Sequence, residues 1–220
     1  MDAKKINRMK VFIIAIIIVA SSGFYYAQTT TNVKGSQFQF KEVVRHDASP
    51  VESQGRTGTC WSFSALSFLE SEIMRTSGRE KPIILSEMFI VRKAYEAKAK
   101  KYIRMDGRTN FGEGGAFHDI PYVIKNYGIV PQSEYTGLAK KGDRYNHGDM
   151  FDQLNEIVTT AKSEGAGIQQ SWIDDYVNVL DKKIGVLPET FKFEGEKYTP
   201  QSFYKMLGID MDDYVSLTSF

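Results

Sequence analysis

The sequence predicts a mostly helical domain with one small hairpin. Apolar residues recur three and four positions apart in several stretches between residues 61 and 207, which is the spacing of helices with one buried face. An alternation around Glu194-Gly195 indicates one small hairpin. The 220 residues are 42% hydrophobic and 25% charged, a composition that supports a core in one large domain or in two small ones.

The first 27 residues have the pattern of a secretory signal peptide. A basic stretch ends at Lys10, the apolar run 11–20 follows, and small residues come after it, so we expect cleavage after Gly23 or Ala27. The apolar run is shorter than the roughly 18–20 residues that span a bilayer. Residues 11–26 together would instead form an uncleaved membrane anchor. The sequence therefore predicts export to a periplasm or to the cell exterior, with membrane anchoring as the alternative.

Residues 28–50 are polar and irregular, and they predict an extended segment with one alternating patch at Phe38 and Phe40. The first helix is expected to begin at Cys60 and to end near Gly78, as the central buried helix of the domain. Its predicted buried stripe consists of Trp61, Ala65, Phe68, Leu69 and Ile73.

Ser86 and Glu87 predict the N-cap and the first turn of a second helix, which is interpreted as a surface helix with one core-facing stripe. The third helix contains Pro121 in an early turn and ends at Gly128. Its predicted stripe consists of Ile120, Val123, Ile124 and Tyr127.

Two more helical patterns cover residues 149–163 and 171–183. The hairpin follows at residues 190–198, and Thr199-Pro200 opens a short helix that runs to Leu207. The run Tyr214–Phe220 is typical of a strand.

Composition excludes several classes of function. The formal net charge of +1 provides no basic face for nucleic acid. Three scattered histidines and a single cysteine give no metal-ligand spacing. The Gly112–Gly115 loop lacks the lysine of a phosphate-binding loop, so the sequence predicts neither a metal nor a nucleotide cofactor.

Cys60 is the only thiol of a chain that is predicted to be exported, so it cannot form an intramolecular disulfide. It is either a reactive or intermolecularly paired thiol or a small buried core residue. A position at a helix N-terminus favours the thiolate. Six residues earlier, the Gln54 amide could donate a hydrogen bond to an oxyanion beside the Cys60 N–H.

Four ordered motifs resemble the papain-like cysteine peptidases. They are Gln54-Gly55 with Cys60-Trp61-Ser62-Phe63-Ser64, then Leu85-Ser86-Glu87, the glycine pair Gly114-Gly115, and Tyr127-Gly128-Ile129. Thr57 stands where papain has a disulfide-forming cysteine. This departure, together with the long stretch between Leu85 and Gly114 and the helical insertion after Tyr135, is similar to the bleomycin hydrolase and aminopeptidase C branch.

The resemblance implies a papain-like α+β fold and an aminopeptidase activity on peptide substrates, with assembly into hexamers. It implies that Cys60 is the nucleophile, that Gln54 contributes to the oxyanion hole, and that Trp61, Gly114 and Gly115 line the substrate cleft. The expected organisation is a helical domain at residues 51–138, followed at 139–220 by the helical insertion and the start of a β-rich second domain.

The family also needs a histidine and an asparagine, both downstream of the cysteine. His46, His118 and His147 all lack the family context, and we expect each to have a solvated or helix-start structural role. The chain is therefore predicted to be the nucleophile-bearing part of the peptidase, largely without its β-rich domain and inactive alone. The alternatives are a non-catalytic peptide-binding or assembly module and a helical bundle with a buried Cys60.

Overall fold

The computed structural model describes residues 34–140, 142–215 and 217, and it is mostly helical. The described part of residues 46–220 forms one compact unit, and residues 34–45 belong to a separate one. The helices of the compact unit are α1 (Cys60–Ser77), α2 (Glu87–Arg104), α3 (Asp119–Tyr127), α4 (Gly148–Ser163), α5 (Gln170–Ile184) and α6 (Pro200–Met206). One hairpin joins β1 (Phe191–Phe193) to β2 (Glu196–Tyr198), and a 3₁₀ turn covers Met211–Asp213.

Helix α1 begins at Cys60 and is capped after Ser77 by Gly78, whose N–H donates to the carbonyl of Met74, so the predicted start and the predicted stop near Gly78 are confirmed. Leu66, Leu69 and Ile73 are almost fully buried. Phe68 was predicted to lie in this stripe but is 47% exposed, because it lies at the edge of the buried face. Its ring packs edge-on against the rings of Phe117 and Tyr214.

Helix α2, and not α1, is the central helix, which corrects the expectation from the sequence. It packs against α1, α3, α4 and α5. Ser86 caps it as predicted, with its Oγ accepting a hydrogen bond from the Phe89 N–H. Arg92 is buried on α2 because its guanidinium donates to Asp181 at 2.5 Å and to the carbonyl of Gly185.

The remaining elements pack around α2 and α3. Helices α4 and α5 pack on each other, and α3 packs against α6. The hairpin pairs antiparallel with Phe191 opposite Tyr198, as its alternation predicted. On α3, Ile120, Val123 and Ile124 are buried, but Tyr127 is 36% exposed and stands outside the predicted stripe.

The chain ends differ from the sequence-based expectations. Residues 34–45 are irregular and mostly exposed. Tyr214 and Val215 form no strand, although a strand was predicted there. The predicted signal peptide and residues 218–220 lie outside the described residues. No helix among the described residues is long and apolar enough to cross a membrane.

Candidate active site

Cys60 is the first residue of α1, and its side chain is exposed. This contradicts the alternative of a buried core cysteine. Thr59, the N-cap residue, makes no side-chain capping hydrogen bond. The first N–H groups of a helix have no intrahelical acceptor, so the thiol stands beside free donors and the positive end of the helix dipole.

The loop that leads to Cys60 is held by its own hydrogen bonds. The Gln54 Nε2 donates to the carbonyl of Thr57 at 2.6 Å, and the Thr57 hydroxyl donates back to the carbonyl of Gln54 at 2.9 Å. One N–H of the Gln54 amide is thus engaged within the loop, and the second can serve another acceptor. The loop is also tied to residues 145–147, because the Arg56 N–H donates to the Tyr145 carbonyl and the His147 N–H donates to the Arg56 carbonyl.

Gly115 lies directly on the Trp61 ring. A Cβ at this position would be 2.6 Å from Trp61 Cε2 and 2.7 Å from Asp119 Oδ2, whereas a Cβ on Gly114 would meet nothing within 4 Å. Trp61 itself is only 7% exposed. From the sequence we expected Trp61 to line the substrate cleft. Trp61 is instead buried and supports the glycine pair from beneath.

Lys98 of α2 lies on one side of the glycine pair and stabilises its position. Its Nζ donates to the Gly114 carbonyl at 2.7 Å, lies 3.4 Å from an oxygen of Asp119, and stands 4.9 Å from the centroid of the Trp61 ring. The backbone N–H and C=O of Gly115 make no hydrogen bond within the described part of the chain. These two exposed groups can therefore pair with the backbone of a peptide laid along the loop.

Glu113 is a site residue that the sequence interpretation missed. Its Oε2 accepts from the Gly58 N–H at 2.6 Å, and its backbone carbonyl accepts from the Trp61 indole N–H at 3.0 Å. It thereby joins the glycine loop to both sides of Cys60. The signal in the sequence was an acidic residue directly before the matched glycine pair.

The structure places none of the three histidines as a partner of Cys60. No hydrogen bond connects the Cys60 sulfur to a histidine within the described ranges. His46 is exposed, and His118 is exposed beside Asp119 at the start of α3. His147 starts α4 as predicted, but it is buried and not solvated. Burial lowers the pKa of His147 to about 4, so its imidazole is neutral at neutral pH.

A cavity of about 880 Å³ lies beside the Gln54 loop and is separate from the cysteine. Its lining includes Glu52, Arg56, Gln132 and Tyr145 but neither Cys60 nor the glycine pair. The cavity is therefore not the surface on which a peptide would reach the thiol. Among the described residues, no group of three His, Cys, Asp or Glu side chains is placed to hold a metal ion.

Comparisons with known proteins agree with this geometry. The profile of the papain family of cysteine proteases matches residues 36–187. The chain belongs to the papain family. It is 24% identical over 235 residues to aminopeptidase C of Lactobacillus delbrueckii subsp. lactis, covering 87% of this chain and 52% of the relative. It is 26% identical over 212 residues to bleomycin hydrolase of Rattus norvegicus, covering 79% of this chain and 46% of the relative.

A crystal structure of PepW from Lactobacillus rhamnosis shares the fold of this papain-family chain. The TM-score is 0.55 at 21% sequence identity, and the match covers 78% of this chain and 46% of PepW. The chain therefore spans about half the length of the relatives it matches. The residues that the family profile matches include Cys60, the Gln54 loop and the glycine pair.

Proposed function

We propose that this chain is the nucleophile-bearing part of an exported cysteine aminopeptidase. The observation that carries the proposal is the exposed Cys60 at the start of α1. It is followed by Trp61, whose ring lies against Gly115, and the backbone groups of Gly115 make no hydrogen bond among the described residues. Its relatives are named aminopeptidase C and bleomycin hydrolase. Export is supported by the basic and apolar pattern of the first 27 residues.

The geometry supports the first half of an acyl-transfer reaction. A peptide pairs with the N–H and C=O of Gly115, and the Cys60 thiolate attacks the carbonyl carbon of the bond to be cleaved. The Cys60 N–H and the Gln54 amide then stabilise the negative charge on the carbonyl oxygen. Gln54 must direct its second N–H outward for this role, because the first donates to Thr57.

The second half of the reaction needs a group that accepts the thiol proton and returns it to the leaving amine. His147 is buried, and among the described residues neither His46 nor His118 makes a hydrogen bond to the Cys60 sulfur, so we assign none of them this role. The proposal therefore places the catalytic histidine and its asparagine in a part of the protein outside these 220 residues. Assembly of that larger protein into a homo-oligomer is part of the same proposal.

A peptide-binding module without catalysis is the second candidate. It is favoured by one observation, the absence of a hydrogen bond between a histidine and the Cys60 sulfur among the described residues. Such a module would bind peptides along Gly114 and Gly115 without cleaving them. The two candidates differ in turnover, which can be measured directly.

The test starts from the protein isolated from its native source, with its intact mass measured. A mass well above 25.0 kDa, the mass of this chain, together with hydrolysis of aminoacyl fluorogenic substrates, supports the peptidase. Cys60→Ser in that protein should abolish hydrolysis, and Gln54→Ala should lower kcat by about 10²–10³-fold. Residual turnover by Cys60→Ser, or enzyme-like rates from the 220-residue chain alone, would contradict the proposal.

A further inference from the structure

Glu113 brings a carboxylate next to the nucleophile. Its side chain accepts from the N–H of Gly58, two residues before Cys60, and its carbonyl accepts from the side chain of Trp61, one residue after Cys60. Consecutive Cα atoms are about 3.8 Å apart, so the carboxylate lies at a distance on the order of 10 Å from the sulfur.

The Glu113 carboxylate has no cationic partner in the part of the chain that the structure describes. Among the described residues, no lysine, arginine or histidine nitrogen lies within 4 Å of its carboxylate. The nearby ammonium of Lys98 is bound to Asp119 and to the Gly114 carbonyl. Within the described ranges, Oε2 of Glu113 accepts a hydrogen bond and Oε1 accepts none, and Oε1 is not among the buried unpaired atoms. A solvent-accessible oxygen therefore remains for a ligand.

The carboxylate is also held in place. A Cβ on Gly58 would lie 2.8 Å from the Glu113 Cβ, so the two loops approach each other as closely as backbone allows. The hydrogen bonds to Gly58 and Trp61 restrict the side chain and the backbone separately. Because the Glu113 side chain is already held in place, it loses little conformational entropy when a ligand binds. More of the attraction between the carboxylate and a cation therefore remains as a preference for cationic ligands.

We propose that Glu113 makes the Cys60 site select peptides with a cationic nitrogen on the residue whose carbonyl is attacked. This inference rests on the proposed peptidase function and names its substrate class. The nitrogen can be the free α-ammonium of an N-terminal residue or the side chain of a lysine or arginine. Both are cations that an unpaired carboxylate attracts, and the experiment separates them.

The first measurement uses the 220-residue chain, in which Cys60 is the only cysteine. Two methanethiosulfonates are used to modify Cys60, one carrying a trimethylammonium group and the other a sulfonate. The rate of modification by each reagent is followed by intact mass. The Cys60 sulfur attacks the reagent's sulfenyl sulfur and methanesulfinate leaves, so each reaction forms one mixed disulfide. Any change in thiolate fraction alters both rates equally, and the ratio of the two rates reports only the local charge.

Glu113→Gln keeps an acceptor for the Gly58 N–H and removes the charge. The cation-to-anion rate ratio should fall by about fivefold at low ionic strength and by about twofold in 0.15 M salt, because the field is screened. Glu164→Gln is the matched control, since it removes the same charge from an exposed position at the end of α4 and should leave the ratio unchanged. An unchanged ratio in Glu113→Gln would overturn the inference.

The second measurement identifies the source of the cation with chloromethyl ketones, which alkylate the Cys60 sulfur with loss of chloride. Alanyl and N-acetylalanyl reagents differ in the α-ammonium, and N-acetyl-lysyl and N-acetylnorleucyl reagents differ in the side-chain ammonium. If Glu113→Gln loses the preference for the alanyl over the N-acetylalanyl reagent, the recognised cation is the α-ammonium. If it loses the preference for the N-acetyl-lysyl over the N-acetylnorleucyl reagent, the recognised cation is the side-chain ammonium. If Glu113→Gln loses neither, the inference is overturned, whereas the peptidase proposal is judged separately by Cys60→Ser in the native protein.

Discussion

At the scale of single residues, the close approach of the glycine loop to Trp61 depends on a missing Cβ. Gly115 lies against Trp61 and Asp119, and Gly114 next to it faces open space. Two adjacent glycines that look alike in the sequence therefore have different structural requirements. The pair provides a matched experiment within one loop.

Gly115→Ala should destabilise the protein by about 1–3 kcal/mol, because the new methyl group must displace a buried indole or a carboxylate that is paired with Lys98. Gly114→Ala should change the free energy of unfolding by less than about 0.5 kcal/mol. Urea denaturation of both variants measures the difference. Equal effects of the two substitutions would show that the contact with Trp61 does not restrict this loop.

At the scale of elements, α2 organises the fold because it packs on four other helices. Its start is fixed by Ser86, whose hydroxyl accepts from the Phe89 N–H and donates to the Tyr135 carbonyl at 2.5 Å. Ser86 is completely buried. One hydroxyl thus caps the helix and connects it to the chain segment that follows α3.

Ser86→Ala should cost about 2–3 kcal/mol, since it removes a helix cap and leaves the Tyr135 carbonyl without this donor in the interior. Thr199→Ala is the control, because Thr199 caps α6 by accepting from the Ser202 N–H at an exposed site. That variant should lose only about 1 kcal/mol. Thermal and urea unfolding would measure both, and a cost for Ser86→Ala no greater than that for Thr199→Ala would argue against the buried bridge.

At the scale of the whole molecule, two buried groups give stability opposite dependences on pH. Burial raises the pKa of Glu87 to about 7, so the folded state holds a proton that the unfolded state releases from its usual 4.5. The stability from Glu87 is present below pH 4.5 and is lost as the pH rises through 7. Burial lowers the pKa of His147 from 6.5 to about 4, so its contribution is present above pH 6.5 and is lost as the pH falls through 4.

Each of these contributions amounts to roughly 3 kcal/mol, and between about pH 4.5 and 6.5 they offset each other. Glu87→Gln should therefore make stability rise with pH across this window, and His147→Gln should make it fall. Urea unfolding at pH 4.5, 5.5 and 6.5 measures the slopes, with Glu164→Gln as the control at an exposed position. Parallel profiles for Glu87→Gln and the unsubstituted chain would contradict the assignment.

The sequence by itself determined the positions of the helices and the place of Cys60 at the start of one of them. The ends of α1, α2 and α6 were predictable because their signals, Gly78, Ser86 and Thr199, act on backbone groups only a few residues away. The motif around Cys60 was likewise contiguous, so one short stretch indicated both the helix start and the chemistry.

Only the tertiary structure decided which helix is central and what surrounds the thiol. Arg92 is buried because Asp181, 89 residues later, neutralises it, and nothing in the amphipathic pattern of α2 indicates that partner. Glu113 reaches Gly58 across 55 residues, and His147 is buried against Tyr95 across 52. Local periodicity reports which face of an element is apolar, whereas burial of a charge depends on partners that are brought close only by folding.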